Sequence, residues 1–188
     1  KLNVPRIGVR FRLPASMNQV EYFGRGPAEN YLDRNAGSMI GLYKSTAEEL
    51  YFPYVRPQEN GHHTDTRWVS LSTGKKGLLI QADNTIGFNA LRNSIEDFDD
   101  EEATGLPRQW SNFTPEQVAN HDEAAAKSVL RRQHHINDIT PRDFVEVCVD
   151  LKQQGVAGYD SWGSRPEPAY TLPANREYNW GFTLIPLK

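Results

Sequence analysis

The sequence predicts a mostly β, antiparallel fold, and three observations carry that prediction. Aromatic residues make up 11% of the chain and, with the β-branched residues, are spread evenly through short segments, which suits pleated, half-buried surfaces. One segment alternates strictly, with Ile7, Val9, Phe11 and Leu13 on one face and Gly8, Arg10 and Arg12 on the other. Turn signals then recur at about ten-residue spacing, as in a meander within a sandwich.

Residues 7–13 read as a strand with one buried and one wet face. Residues 17–23 follow the Pro14-Ala15-Ser16 turn and read as its antiparallel partner, a hairpin that runs into Gly24-Arg25-Gly26-Pro27. Segments 66–72, 77–82 and 86–91 are separated by Thr73-Gly74-Lys75-Lys76 and Asp83-Asn84-Thr85, and read as three meander strands. In residues 144–151, Phe144, Glu146, Cys148 and Asp150 alternate with Val145, Val147, Val149 and Leu151, which gives a strand one fully apolar face. A last strand, 177–185, carries Tyr178, Trp180 and Phe182. Helix is sparse. Thr114-Pro115-Glu116-Gln117 has the cap, the first-turn proline and the capping-box glutamine of a helix start, with Val118, Ala125, Val129 and Leu130 as its stripe. A second short helix is expected at 46–50. No repeat or low-complexity linker interrupts the chain, so residues 1–188 read as a single domain.

The 188 residues hold 21 Lys+Arg against 24 Asp+Glu, a net charge of −3. No basic run exceeds two residues, which sets nucleic acid aside as a partner. A chain of this length buries roughly 70% of its unfolded surface and needs no metal or disulfide staple. Cys148 is the single cysteine, which excludes an intrachain disulfide and a Cys-based zinc site and leaves the compartment open. No apolar run exceeds three residues against the roughly 18 that span a bilayer, so no membrane partner is expected. The opening Lys1-Leu2-Asn3-Val4-Pro5 has no apolar leader core and no initiating methionine, and reads as the start of a piece cut from a longer chain.

Few motifs point to chemistry by themselves. The acidic run Glu96-Asp97-Phe98-Asp99-Asp100-Glu101-Glu102 lacks the glycine and ligand spacing of a calcium loop and reads as solvated. His62-His63 and His134-His135 are adjacent pairs; neighbours on a strand point to opposite faces, so neither pair chelates one metal, and with His121 they read as structural or surface residues. Glu29, Asp33, Glu59 and Asp160 sit in loop-like settings, but nothing in their spacing singles out the carboxylate pair that glycoside chemistry needs. Gly24-Arg25-Gly26-Pro27 fails as a phosphate loop, because proline removes a backbone donor. Two loops remain. Tyr54-Val55-Arg56-Pro57-Gln58-Glu59-Asn60-Gly61 fixes a backbone path with proline and an Asn-Gly turn. Gly155-Val156-Ala157-Gly158-Tyr159-Asp160-Ser161-Trp162-Gly163 sets an indole among three glycines, where the ring suits the C–H face of a sugar as well as it suits a core gap.

These strings together, with Pro5-Arg6-Ile7-Gly8, Phe23-Gly24-Arg25-Gly26-Pro27, Glu29-Asn30-Tyr31, Asp33-Arg34, Thr66-Arg67 and Asp160-Ser161-Trp162-Gly163 in this order, resemble the C-terminal small-chain domain of glycoside hydrolase family 2 β-galactosidases. The resemblance spans nearly the whole chain. It implies an antiparallel β-supersandwich similar to galactose mutarotase, the last domain of an enzyme that hydrolyses terminal β-D-galactosides with retention. It also implies that both catalytic glutamates lie in a separate (β/α)₈ barrel, for which a chain already spent on strands has no room. No catalytic residue and no metal ligand is therefore assigned here, and the isolated fragment is expected to be inactive.

Trp162 falls where the family stacks a tryptophan on the sugar of the aglycone subsite; with Asp160 and Ser161 it forms the implied substrate-binding group. Relatives carry two glycines and an acidic residue before this string, where Ala157-Gly158-Tyr159 stands here. Asp33 with Arg34, Glu29, Asn30, Glu59 and Arg67 read as a scaffold holding the long loops. The implied partners are the remaining domains of the enzyme and a galactoside or disaccharide, in an oligomeric complete enzyme of the bacterial cytoplasm or periplasm. No cofactor is implied for this chain; the Mg and Na ions of the complete enzyme are bound mainly by other domains. Two readings from other classes stand beside this one. A stand-alone carbohydrate-binding module would need two or more exposed aromatics in line, and an aldose mutarotase would use Glu59 with His62 or His63 as base and acid.

Overall fold

The computed structural model describes residues 2–98, 136–160 and 162–188. They fall into two compact units: Lys1–Phe52, Asn60–Arg92 and Arg142–Lys188 form the first, Pro53–Glu59 and Asn93–Pro141 the second. The first unit holds every described strand: β1 (Arg6–Pro14), β2 (Gln19–Gly26), β3 (Met39–Thr46), β4 (His63–Ser72), β5 (Gly77–Leu91), β6 (Phe144–Gln153) and β7 (Phe182–Leu187). They make one seven-stranded sheet in the order β1-β6-β5-β4-β2-β3, with β7 paired to the first half of β5. Every pairing is antiparallel, so the all-β prediction holds. Helix among the described residues is limited to single 3₁₀ turns.

The core lies on one face of the sheet. Val20, Tyr22, Val69, Leu71, Ile80, Phe88, Val145, Val147 and Val149 are all buried, as period-2 alternation on β2, β4, β5 and β6 requires. Tyr22 sets its ring edge-on to His63 and Phe88, with centroids 5.0 and 5.1 Å away, an arrangement that aromatic quadrupoles favour.

Several expectations are corrected. The hairpin between residues 7–13 and 17–23 does not form, although its turn does, through Met17 N–H to Pro14 O at 2.9 Å. Instead β1 pairs with β6, where Arg12 and Arg10 reach the carboxylate of Glu146 at 3.1 and 3.5 Å, and β2 inserts between β3 and β4. That leaves β1 at the sheet edge with none of its residues buried and Val9 45% exposed. Phe11 and Leu13, on the same face as Val147 and Val145, are half-buried, while Arg10 and Arg12 on the other face are exposed beside Glu146. β5 runs through Asp83-Asn84-Thr85 without turning. These polar residues mark the stretch between its pairing with β7 and its pairing with β6, and Asp83 N–H is taken by Gly181 O at 3.1 Å.

β3 was not anticipated: its Met-Ile-Gly-Leu-Tyr-Lys pattern does not alternate, and as an edge strand it exposes Met39, Ile40 and Leu42. Residues 46–50 make one turn rather than a helix. Thr46 and Glu49 exchange capping bonds of 3.2 and 3.1 Å, but Pro53 disfavours helical geometry at Phe52 and the turn cannot propagate. The final strand begins at Phe182, since Tyr178 is committed to Pro173 O at 2.9 Å. The helix expected from Thr114 and residues His121, His134 and His135 lie outside the described residues. In the second unit, Asp97 is buried and accepts Ser94 N–H at 2.9 Å, so this part of the acidic run serves the chain's own turn.

Opposite the apolar core, at the β1-β6-β5 end, the sheet buries a polar network. Arg6 lies 3.0 Å from Asp150 and donates to Asn89 Oδ1 at 2.6 Å and to Gln153 at 3.0 Å. Asn89 Nδ2 donates to Asn60 O at 2.7 Å, which turns its Oδ1 toward His62 Nδ1 at 2.8 Å. His62 therefore carries its proton on Nδ1. Burial, reinforced by the Arg6 charge, pushes its pKa down to about 3. An unfolded histidine takes up a proton near pH 6.5, so between these values the unfolded chain binds more protons than the folded one. Stability is complete above pH 6.5 and should fall as pH drops toward 3, by about 1.4 kcal/mol per pH unit from this residue. The test is chemical unfolding at pH 7.5, 6 and 5 for the protein and for His62→Asn, which keeps a donor for Asn89 but gains no proton. The variant is expected to show the shallower pH dependence; equal slopes would remove His62 from the account.

Candidate functional site

The string from Arg25 to Arg34 works as a row of clamps. Arg25 pairs with Asp65 at 2.5 Å and donates to Ser38 O at 2.8 Å. Glu29 accepts Gly61 N–H at 2.6 Å and the Tyr31 hydroxyl at 3.3 Å. Asn30 is fully buried and uses both ends of its amide. It donates to Arg25 O and Ala28 O at 3.1 Å each, and accepts Thr64 N–H at 2.9 Å and Thr64 Oγ1 at 2.6 Å. Tyr31 stacks on His62 with centroids 5.6 Å apart. Arg67 donates to Asp65 O and lies over Phe23, 5.7 Å from the ring centroid, while Glu59 belongs to the second unit.

The last clamp holds the indole-bearing loop. Asp33 accepts Val156 N–H at 3.0 Å on one oxygen, and Ala157 N–H at 2.8 Å with the Tyr159 hydroxyl at 3.2 Å on the other. Arg34 donates to Ala157 O at 3.1 Å. Close approach of the carboxylate needs Gly155, because a Cβ there would stand 2.5 Å from Asp33 Oδ2. Ala157, buried, adopts φ of 55° and Gly158 φ of 78°, a left-handed pair that turns the chain outward; the hydrogen bonds to Asp33 and Arg34 hold the alanine where only glycine sits easily. Partial desolvation and the Asp33 charge raise the Tyr159 pKa, so its hydroxyl remains a donor at neutral pH.

At the tip, Asp160 Oδ1 accepts Trp162 N–H at 2.8 Å and Ser164 N–H at 3.3 Å, and Ser164 Oγ accepts Tyr159 N–H at 2.9 Å. Trp162 is 93% exposed. Of the three residues singled out in the sequence, Trp162 thus presents its ring to solvent, Asp160 builds the turn beneath it, and Ser161 lies outside the described residues. The Tyr159–Asp33 and Ser164 contacts were missed; Gly155, a glycine with no turn of its own to make, was the available signal. His62 and His63 are both 1% exposed. The His63 ring nitrogens stand 3.0 and 3.2 Å from Gly61 O and Pro27 O; burial lowers its pKa, and the neutral ring donates to one of the two carbonyls. Both histidines are spent on internal bonds, which removes the acid–base pair that mutarotase chemistry would use.

Among the described residues no group of three or more His, Cys, Asp or Glu is placed to hold a metal ion, and no helix is long and apolar enough to cross a membrane. The buried carboxylates of the sheet are Glu146 and Asp150. Four residues apart on one strand, they stand about 13 Å from each other, well beyond the roughly 5–9.5 Å of paired glycosidase carboxylates, and each faces arginine.

A family model described as β-galactosidase small chain matches residues 1–184. A β-galactosidase of Priestia megaterium is 35% identical over 185 residues, 98% of this chain and 15% of that protein. A β-galactosidase of Vibrio cholerae is 29% identical over 181 residues, 96% of this chain and 14% of that protein. One from an Arthrobacter species is 41% identical over 99 residues, half of this chain. The chain thus spans about 15% of the length of the relatives that match it nearly end to end.

The clamp predicts its own test. Replacing Asp33 with alanine removes a charged acceptor from two amides, bonds worth about 1.5–3 kcal/mol each. Hydrogen exchange at Val156 and Ala157 should quicken about ten- to a hundredfold while exchange within β5 and β6 stays as it was. Unchanged exchange at the two amides would deny Asp33 this role.

Proposed function

The chain belongs to the β-galactosidase small-chain family, and from that premise we propose that it is the non-catalytic C-terminal domain of a retaining β-galactosidase acting on terminal β-D-galactosides. It supports the catalytic barrel of the same polypeptide and supplies Trp162 to the aglycone side of the pocket. The single observation that carries this reading is an indole 93% exposed at the tip of a loop tied down by Asp33, Arg34, Asp160 and Ser164. A large apolar ring presented to water by a fastened loop is poorly explained as core and well explained as a stacking surface for the C–H face of a sugar.

Asp160 and Ser161 belong to the same substrate-binding group, Asp160 through the turn it builds. Bond cleavage is assigned to carboxylates of another domain. The separation and arginine pairing of Glu146 and Asp150 support that division. The galactoside or disaccharide ligand, the oligomeric complete enzyme and the Mg and Na ions held mainly elsewhere are parts of the same proposal. So is the reading of residues 1–188 as a single small-chain domain, itself a fragment of a much longer enzyme.

Two measurements test it. In the complete enzyme Trp162→Ala should raise KM for disaccharides and for transglycosylation acceptors about five- to tenfold with kcat little changed, because lost stacking weakens ground-state binding; an unchanged KM refutes the assignment. The isolated chain should not turn over a nitrophenyl galactoside. Turnover by the pure chain would place the reacting acids within it.

A further inference from the structure

Tyr159 has no part in the reading above, and its setting is unusual. The loop is already fastened by two backbone N–H bonds to Asp33 and by Arg34 on Ala157 O. The phenol adds a third donor to Asp33, yet Tyr159 is 56% exposed. A side chain needed only for that hydrogen bond would gain from burying its ring; this one has its hydroxyl tied at 3.2 Å and its backbone N–H tied to Ser164 Oγ at 2.9 Å, with the ring left in water. Both ends of the side chain are anchored, so a ligand that stacks on the ring finds most of the tyrosine's two-torsion freedom already removed. Three residues on, in the same turn, stands Trp162, still more exposed.

We propose that Tyr159 is a specificity-determining residue: a second, fixed aromatic surface beside Trp162 that favours β-galactosides whose aglycone extends over more than one ring. This rests on the aglycone reading of Trp162 and adds to it the class of substrate preferred. Trp162 meets the first ring of the aglycone, and Tyr159 is offered to the next. An alkyl aglycone reaches neither and should be indifferent to both. Asp33 is then a positioning residue for both rings, because its carboxylate holds the backbone that carries Trp162 and the hydroxyl that steadies Tyr159.

The experiment compares the complete enzyme with Tyr159→Ala, Tyr159→Phe and Trp162→Ala on methyl β-galactoside, a β-galactosyl disaccharide and a β-galactosyl trisaccharide. Tyr159→Ala should raise KM for the trisaccharide about five- to tenfold, leave methyl galactoside within about twofold, and leave kcat alone on all three. Tyr159→Phe keeps the ring but frees it from Asp33, and should raise KM for the trisaccharide only about two- to threefold, less than Tyr159→Ala, with methyl galactoside unchanged. The inference is overturned if Tyr159→Ala shifts all three substrates alike or none of them, or if Tyr159→Phe is as damaged as Tyr159→Ala, which would make the hydroxyl latch the whole of its role. Trp162→Ala separates the two readings. If it moves the disaccharide KM while Tyr159→Ala moves nothing, only the present inference fails; if it moves no KM, the aglycone assignment fails first.

Discussion

A buried negative charge sets the layout of the sheet's β1-β6-β5 end. Asp150 is 1% exposed, and a carboxylate at that depth persists only where an opposite charge and donors meet it. Arg6 meets it at 3.0 Å from the neighbouring strand; stranding one partner of such a pair costs on the order of 3–5 kcal/mol. The strands on either side make room by carrying glycine at the matching register. Gly8 and Gly87 both pair with Asp150; a Cβ on Gly8 would collide with the carboxylate, and one on Gly87 would come within 2.5 Å of the His62 ring. Burial, with Arg6 on one side of it, keeps His62 neutral, and Asn89 then has one orientation that serves Arg6, His62 and Asn60 together.

The same arginine leads to the loop. Arg6 donates to Gln153 at the end of β6, the next amide, Gln154, donates to Pro5 O at 2.9 Å, and Gly155 N–H then reaches Tyr170 O at 2.8 Å. The chain thus leaves the sheet along a path set residue by residue, and Asp33 takes it up immediately afterward at Val156 and Ala157. Sheet and loop are continuous in this sense: the ion pair fixes where the strand ends, and the Asp33 clamp fixes the direction in which the backbone departs. The Arg25–Arg34 string looks like a binding motif because it is dense in charge and amide groups. Many of its polar atoms are turned inward on backbone of Gly61, Thr64, Val156 and Ala157, and at 156–157, where the backbone has no ladder of its own, these side chains supply its bonds.

What could be read from residues alone follows from the range of the forces involved. Val145, Val147 and Val149 announce β6 because alternation is local, and the 73–76 turn announces itself because Gly74 needs φ of 84°. Pairing is not local. Nothing between Leu13 and Met17 says that β1 will cross to β6; that choice belongs to Glu146, more than a hundred residues away, whose charge needs Arg10 and Arg12. Asp83-Asn84-Thr85 has the composition of a turn, yet the strand continues because its neighbours on both sides change partners or register there. The loop that presents Trp162 was visible in its glycines and its indole, and the resemblance gave it a meaning. Its dependence on Asp33 was expressed only as a general scaffold, since no spacing rule links residues 123 positions apart.

An exposed indole is an unfavourable feature for a folded chain to maintain, and the way this one is maintained bears on its use. Apolar area left in water forgoes about 25 cal/mol per Å² of stabilisation, so a loop free to move would be expected to fold a tryptophan back onto the sheet. Here the backbone beneath the ring is held by Asp160 and Ser164 at the tip and by Asp33 and Arg34 at the base. Moving that backbone would break charge-assisted bonds. The ordering that a binding partner would otherwise have to impose on the backbone beneath the ring is already supplied by folding. A surface arranged in this manner is suited to weak, repeated contact with a flat ligand, which is what the role proposed for Trp162 asks of it.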